Sequence, residues 1–371
     1  MRGFQQKVPV GIGGRSVTNI STTAKRQILN VGRDLGLFRL FGHSSTRRKQ
    51  LLILSYHGIS SGEAHHYNPF MFMPVVVFER RMQILRDTGA NIVSLAHALT
   101  LLSQGRLQPR SVVITFDDGW ADFQQNANPI LKRYSMPATV YLTTAYCLNN
   151  KPIFLLALDY MMWKRGTEVI ENPGLSFLPS RLDLTSYEKR TAIVNQFDEY
   201  AKREDLSIAQ RNDLCAEFAS MIGFDYQALL RQRLFNLMTP SEVADVARGG
   251  VDIQLHTHNH RPISSRDDCI GEINDNRRCI TEITGVGDCV VHFCYPSGRY
   301  RPALLPWLQE AGVQSATISE PGLAKKSDNL LLLPRILDRP GMSESEFEAW
   351  VTGFAAILPR RKQTVPDVAP E

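Results

Sequence analysis

The stretch Ser111-Val112-Val113-Ile114-Thr115-Phe116-Asp117-Asp118-Gly119 is a β-branched apolar run that ends on two adjacent carboxylates and a glycine. A run with no polar alternation fits a strand buried on both faces, as in a parallel sheet. The pattern repeats on either side of it. Upstream, Leu51 to Tyr56 reads as a strand, Phe78, Met82 and Leu85 share a helical face, Asn91 to Leu95 reads as a strand, and a helix over Ala96 to Gln104 stops at Gly105. Downstream, a helix around Ala127 to Tyr134 precedes a strand at Ala138 to Thr143. This alternation predicts an α/β fold, a parallel sheet or β/α barrel, whose functional groups gather at the C-terminal ends of the strands.

Residues 145 to 240 change character, with long helical periods such as Tyr187 to Lys202 and Asn212 to Ile222 and few strand signals. They read as a helical insertion at about 146–240 in a domain spanning 51–357. Alternation resumes with a helix from Ser241, signalled by Thr239-Pro240, and with strands at Asp252 to Leu255, Val290 to Cys294, Ser315 to Ile318 and Leu330 to Leu333. Residues 1–50 read as a partly flexible extension carrying a short amphipathic helix, with Ile28, Val31, Leu35, Phe38 and Phe41 on roughly one face. That helix packs on the domain or, alternatively, lies on a membrane surface. Residues 358–371 read as a disordered tail.

With 371 residues, 43% hydrophobic and 21% charged, the chain can bury a sizeable core, which excludes a disordered or fibrous class. The formal charge of +5 is concentrated in Arg47-Arg48-Lys49 and Arg360-Arg361-Lys362. Both runs read as solvated ends without interleaved aromatics, so no nucleic-acid partner is expected. Six cysteines without C-x-x-C spacing suit buried thiols in a reducing compartment. No secretory signal and no apolar run of membrane-spanning length is read, which points to the cytoplasm, with or without membrane association.

Two adjacent carboxylates at a buried strand end repel one another, and a bound cation relieves that cost. Asp117 and Asp118 point in different directions on extended backbone, so one can face a metal and the other a water beside it. A solvated Asp-Gly turn is the plainer alternative. The cluster His256-Thr257-His258-Asn259-His260 also follows a strand and offers three imidazoles. Asp118 with two of these histidines would make a three-ligand site for Zn²⁺ or a similar ion, with a position left for water. His57, ending the strand Leu51 to Tyr56, falls on the same face as a candidate acid or base. Tyr295-Pro296-Ser297-Gly298-Arg299 follows another strand, and its turn can aim a backbone N–H into the site. Neither a G-x-S-x-G elbow nor a phosphate-binding glycine fingerprint occurs.

Thr115 to Gly119 matches T-F-D-D-G and His256 to His260 matches H-[ST]-x-x-H, in that order and each after a strand. In these motifs the chain resembles the polysaccharide deacetylase family (carbohydrate esterase family 4, the NodB homology domain). The resemblance covers roughly residues 50 to 145 and 238 to 340 and implies a distorted (β/α)7 barrel. It implies Asp117 as catalytic base, Asp118, His256 and His260 as ligands of a divalent metal, most simply Zn²⁺, and His258 on a variable position. The family's R-x-P-[YFW] motif falls on Cys294-Tyr295-Pro296, with cysteine in place of arginine. The oxyanion N–H then belongs to Ser297, Tyr295 lines the site, and Arg335 is the candidate to orient Asp117. The late L-x-H motif is absent, since Leu333-Pro334-Arg335 stands there. Leu54-Ser55-Tyr56-His57, however, resembles the opening L-x-Y-H of the circularly permuted poly-N-acetylglucosamine deacetylase branch, which gives His57 the acid role. The implied partner is an acetylated carbohydrate and the implied reaction is hydrolytic removal of an acetyl group. An O-acetyl ester or a small amide is an alternative substrate, and a non-catalytic carbohydrate-binding protein is the alternative of another class.

Overall fold

Most of the apolar runs identified above form strands that lie side by side. The structure, a computed structural model, describes residues 22–60, 62–166, 168–171, 174–298 and 300–358. The flexible start and nearly all of the disordered tail expected from the sequence lie outside these residues. The strands are β1 (Gln50–Tyr56), β2 (Ser111–Phe116), β3 (Thr139–Leu142), β4 (Asp252–Leu255), β5 (His292–Cys294), β6 (Ser315–Ile318), β7 (Leu333–Pro334) and β8 (Ile336–Leu337). They pair in parallel in chain order from β1 to β7. The ring closes because β8 pairs in parallel with β1, Leu54 against Ile336 and Ser55 against Leu337. β7 and β8 are one passage of chain broken at Arg335, so the barrel is the expected (β/α)7 form. Its distortion is concentrated at that break and at the β4–β5 seam, where Phe293 against Leu255 is the single register pair.

Strand alternation divides the core in two. Leu52, Leu54, Val112, Ile114, Phe116, Val140 and Leu142 face a large outer core shared with the surrounding helices. Leu51, Ile53, Val113, Tyr141, Cys294 and Leu333 face the barrel interior. Burial on both sides explains why these runs carry no polar alternation. The helix Leu95–Gln104 sends Leu95, Ala98 and Leu102 into the interior cluster. It closes one end of the barrel instead of lying on its flank. The strand expected at Asn91 to Leu95 is correspondingly short, Asn91–Ile92, and runs beside the start of β2.

The insertion has its own core, with Phe154, Leu158, Met161, Phe197 and Phe218 packed together and joined by Phe72 and Trp120 from the barrel side. Its chain returns along the loop after β2. Ala121 N–H donates to Asn236 O at 3.0 Å and Met238 N–H to Gly119 O at 2.8 Å. The next helix, Pro240–Arg248, starts at a capping box between Thr239 and Glu242.

Three expectations are corrected. Leu330–Leu332 is a 3-10 turn capped by the Asn329 side chain, and the strand begins only at Leu333. The amphipathic helix is two helices, Thr22–Asp34 and Leu37–Gly42, because Gly36 takes the left-handed φ of 73° between them. Leu29 and Phe38 pack inward and Phe38 and Phe41 meet the Phe354 ring, whereas Ile28, Val31 and Leu35 stay exposed. Arg47 is not part of a solvated end. It is buried, and its guanidinium donates to the Val351, Gln50 and Ser111 carbonyls. Among the described residues, no helix is long and apolar enough to cross a membrane.

Candidate metal centre and active site

The C-terminal ends of β1, β2, β4 and β5 and the break between β7 and β8 place His57, the Asp117-Asp118 pair, His256, Ser297 and Arg335 on one face of the barrel. Asp117 continues β2, its N–H bonded to Tyr56 O at 2.9 Å, and Gly119 N–H then reaches back to Asp117 O at 2.9 Å. That tight turn puts Asp118 at a φ of 69°. Such backbone is costly for a residue other than glycine, and here it sends the two carboxylates opposite ways.

Asp118 Oδ1 lies 3.1 Å from His256 Nε2 and 3.2 Å from His260 Nε2, while Trp120 Nε1–H holds Oδ2 at 2.9 Å. The three candidate ligand atoms lie within 4.8 Å of one another. Ligands about 2.0–2.1 Å from a tetrahedral ion stand roughly 3.3 Å apart, so the observed spacing suits a small divalent cation. His256 Nδ1 is 2.8 Å from Cys294 O, a pure acceptor. Nδ1 therefore carries a proton, which leaves Nε2 as the atom that would coordinate an ion. Burial alone would raise the Asp118 carboxyl, but the hydrogen bonds of His256 and His260 hold it well below the usual carboxylate range. These residues could hold a metal ion.

His258 takes no part in this cluster. Its Nδ1 meets Thr144 Oγ1 at 2.8 Å. The ligand loop is held at both ends by one helix, Arg266–Thr284. Asn276 accepts from His256 N–H at 2.9 Å, and Glu272 accepts from Asn259 N–H and Nδ2 at 2.9 and 2.8 Å. Sequence reasoning missed both residues. Their spacing of four on a helix otherwise polar outside was the available signal.

Asp117 is buried and makes a bidentate pair with Arg335, Nη1 to Oδ1 at 2.7 Å and Nη2 to Oδ2 at 2.8 Å. Arg335 Nη2 also lies 3.1 Å from Cys294 Sγ. The small cysteine at the motif position thus leaves room for a guanidinium arriving from the β7–β8 break. Burial pushes the Asp117 carboxyl up, and Arg335 more than offsets it, leaving the carboxyl below its ordinary value. His57 Nε2 stands 3.8 Å from Asp117 Oδ2, with its side chain 22% exposed. Ser297 sits at the exposed turn after β5 with a φ of 58°. Tyr295 lies beneath the site: its ring is buried against Phe293 and its hydroxyl donates to Leu331 O at 3.1 Å.

The family model described as polysaccharide deacetylase matches residues 104–203 and 206–316. The chain belongs to the polysaccharide deacetylase family. Among relatives of this polysaccharide deacetylase, YxkH of Bacillus subtilis (strain 168), itself named for the family, is 22% identical over 305 residues, 81% of this chain and 76% of YxkH. The poly-beta-1,6-N-acetyl-D-glucosamine N-deacetylase of Staphylococcus aureus (strain N315) is 36% identical over 69 residues, 19% of this chain and 24% of that enzyme. Two solved structures share the fold. The Streptococcus pyogenes deacetylase PplD in complex with acetate has a TM-score of 0.53 at 20% identity, covering 80% of this chain and 96% of PplD. IcaB from Ammonifex degensii has a TM-score of 0.52 at 16% identity, covering 82% of this chain and 97% of IcaB.

Proposed function

We propose that this polysaccharide deacetylase is a metal-dependent hydrolase that removes acetyl groups from an N-acetylated carbohydrate by cleaving the amide. The observation that carries the reading is a three-ligand cluster on one face of the barrel, an arginine-steadied carboxylate next to it in sequence, and an imidazole 3.8 Å from that carboxylate. Similarity to the staphylococcal enzyme supports an N-acetylglucosamine polymer as the substrate class.

Asp118, His256 and His260 would hold the ion, and the mixed imidazole and carboxylate set favours Zn²⁺. The ion supplies Lewis acidity for the acetyl carbonyl and acidifies a water. Asp117 accepts that water's proton, and Arg335 fixes which oxygen faces it. The Ser297 N–H donates to the oxygen of the tetrahedral adduct. His57, as imidazolium, gives its proton to the amine as the C–N bond breaks, leaving acetate and a free amine. Each carboxylate thus has one task, because one is taken up by imidazoles and the other by a guanidinium.

The test couples metal analysis of the purified protein to acetate release across N-acetylated and O-acetylated glycans. Asp117→Asn is expected to abolish acetate release while keeping the metal, since the ligand set is untouched. Near-wild-type turnover by that variant would sink the assignment. Release confined to acetyl esters would move the function to O-deacetylation.

A further inference from the structure

Among the described residues, no side-chain hydrogen bond steadies the His57 ring. Its Nδ1 is buried without a hydrogen-bond partner among the described residues. The ring's placement therefore depends on the backbone on either side of it. Tyr56 is fixed within the barrel, its ring stacked on Phe116 and its hydroxyl on Asp338. On the other side, Gly58 N–H donates to Met71 O at 2.9 Å, and Gly58–Ser60 pairs in parallel with Phe72–Pro74.

The Ile59 carbonyl is then held from the segment that follows Asp117-Asp118. Asn126 Nδ2 donates to Ile59 O at 2.6 Å. The Asp122 side chain lies beside the same turn. The same carboxylate closes the space beside Gly58, where an added Cβ would lie 2.8 Å from Asp122 Oδ2 and 2.4 Å from the Phe72 ring. Asp122 directly precedes, and Asn126 lies within, the π-helical turn Phe123–Ala127. Turns of that type are rare and recur at functional sites.

We propose that Asn126 is a positioning residue for the proton donor: by holding the Ile59 carbonyl it fixes His57 relative to Asp117 and Asp118, which precede it on the same segment. This rests on the reading of His57 as the acid. Proton transfer to the leaving nitrogen needs His57 within hydrogen-bond reach of it, and an error of about 1 Å in such a group costs about 100-fold in rate. The clamp works through hydrogen-bond direction. The Ile59 carbonyl needs a donor, and the Asn126 amide supplies it.

Two substrates separate the roles, a β-1,6-linked N-acetylglucosamine oligosaccharide, whose amine must be protonated, and p-nitrophenyl acetate, whose phenolate leaves without a proton. Asn126→Asp, which cannot donate, and Gly58→Ala, which displaces the loop, are expected to lower kcat on the oligosaccharide about 100-fold. KM, metal content, circular dichroism and the ester rate should be retained. Asn126→Ser serves as the milder variant should the aspartate prevent folding. Equal losses on both substrates, or an unchanged oligosaccharide rate in Asn126→Asp, would overturn the clamp. His57→Ala is the control. If it shows the split between substrates and the clamp variants do not, the positioning role alone fails; if it shows no split, the acid assignment falls and the clamp with it.

Discussion

Arg335 and Asp117 show how much of this site depends on single contacts between distant positions. The guanidinium presents two parallel donors to one carboxylate in a buried setting, a geometry that a lysine ammonium cannot reproduce. Arg335→Lys is therefore expected to lower kcat about 100-fold through misorientation of the base. Metal content should stay at the wild-type level, because none of Asp118, His256 and His260 touches Arg335. Steady-state kinetics beside metal analysis checks this, and a variant with unimpaired kcat would show that Asp117 orients itself. Local spacing made Asp117, Asp118, His256 and His260 legible, since each pair lies within five residues of sequence. The contact between Arg335 and Asp117 spans 218 residues, and nothing in the local pattern of either residue announces the other.

At the scale of elements, the helix Arg266–Thr284 acts on the site without entering it. Glu272 and Asn276, one turn apart, hold the two ends of the His256–His260 loop. The loop needs such support because Thr257 and His260 both take left-handed backbone, at φ values of 64° and 52°. Glu272→Ala and Asn276→Ala are each expected to weaken metal affinity about 10- to 100-fold, as the loss of groups that orient ligands commonly does. Competition against a chelator of known affinity measures this. Unchanged affinity in both variants would mean that the loop holds its own shape. The helix itself was not among the elements read from the sequence. The strands were legible because burial on both faces imposes a continuous apolar run, whereas a helix bonded to loop backbone leaves only scattered polar residues.

Across the whole molecule, the barrel and the insertion meet at Trp120 and the return segment 235–238, close to Asp122. Asp122 is partly exposed, yet its Oδ1 is enclosed without a hydrogen-bond partner among the described residues. Burial pushes its carboxyl from 3.8 up to about 7, against the pull of the Ile59 backbone. A carboxyl raised in the folded state contributes stability that is complete below its unfolded value and is lost as pH rises through its folded value. Asp122→Asn does not ionise, so its stability relative to the parent is expected to climb as pH rises from 3.8 to about 7. Denaturant midpoints for both proteins across that range, at constant m-value, test the slope; a difference independent of pH would refute it. Asp338, pushed by burial to about 6 despite Arg81, slopes in the same direction in both proteins and cancels from the comparison.

Most of the strands, the helical insertion and the residues of the metal cluster follow from the order of residues along the chain. Hydrophobic runs and closely spaced polar motifs are local properties, and short-range physics acts on them before the chain closes. Only the tertiary structure decided that β8 closes the ring on β1, that the helix Leu95–Gln104 plugs the barrel, and that Arg47 is buried among carbonyls. Arg335, the candidate to orient Asp117, reaches it past Cys294, and Asn126 reaches the peptide that carries the His57 loop. Those contacts join residues far apart in the chain, each satisfying a buried donor or acceptor that no neighbour in sequence could reach.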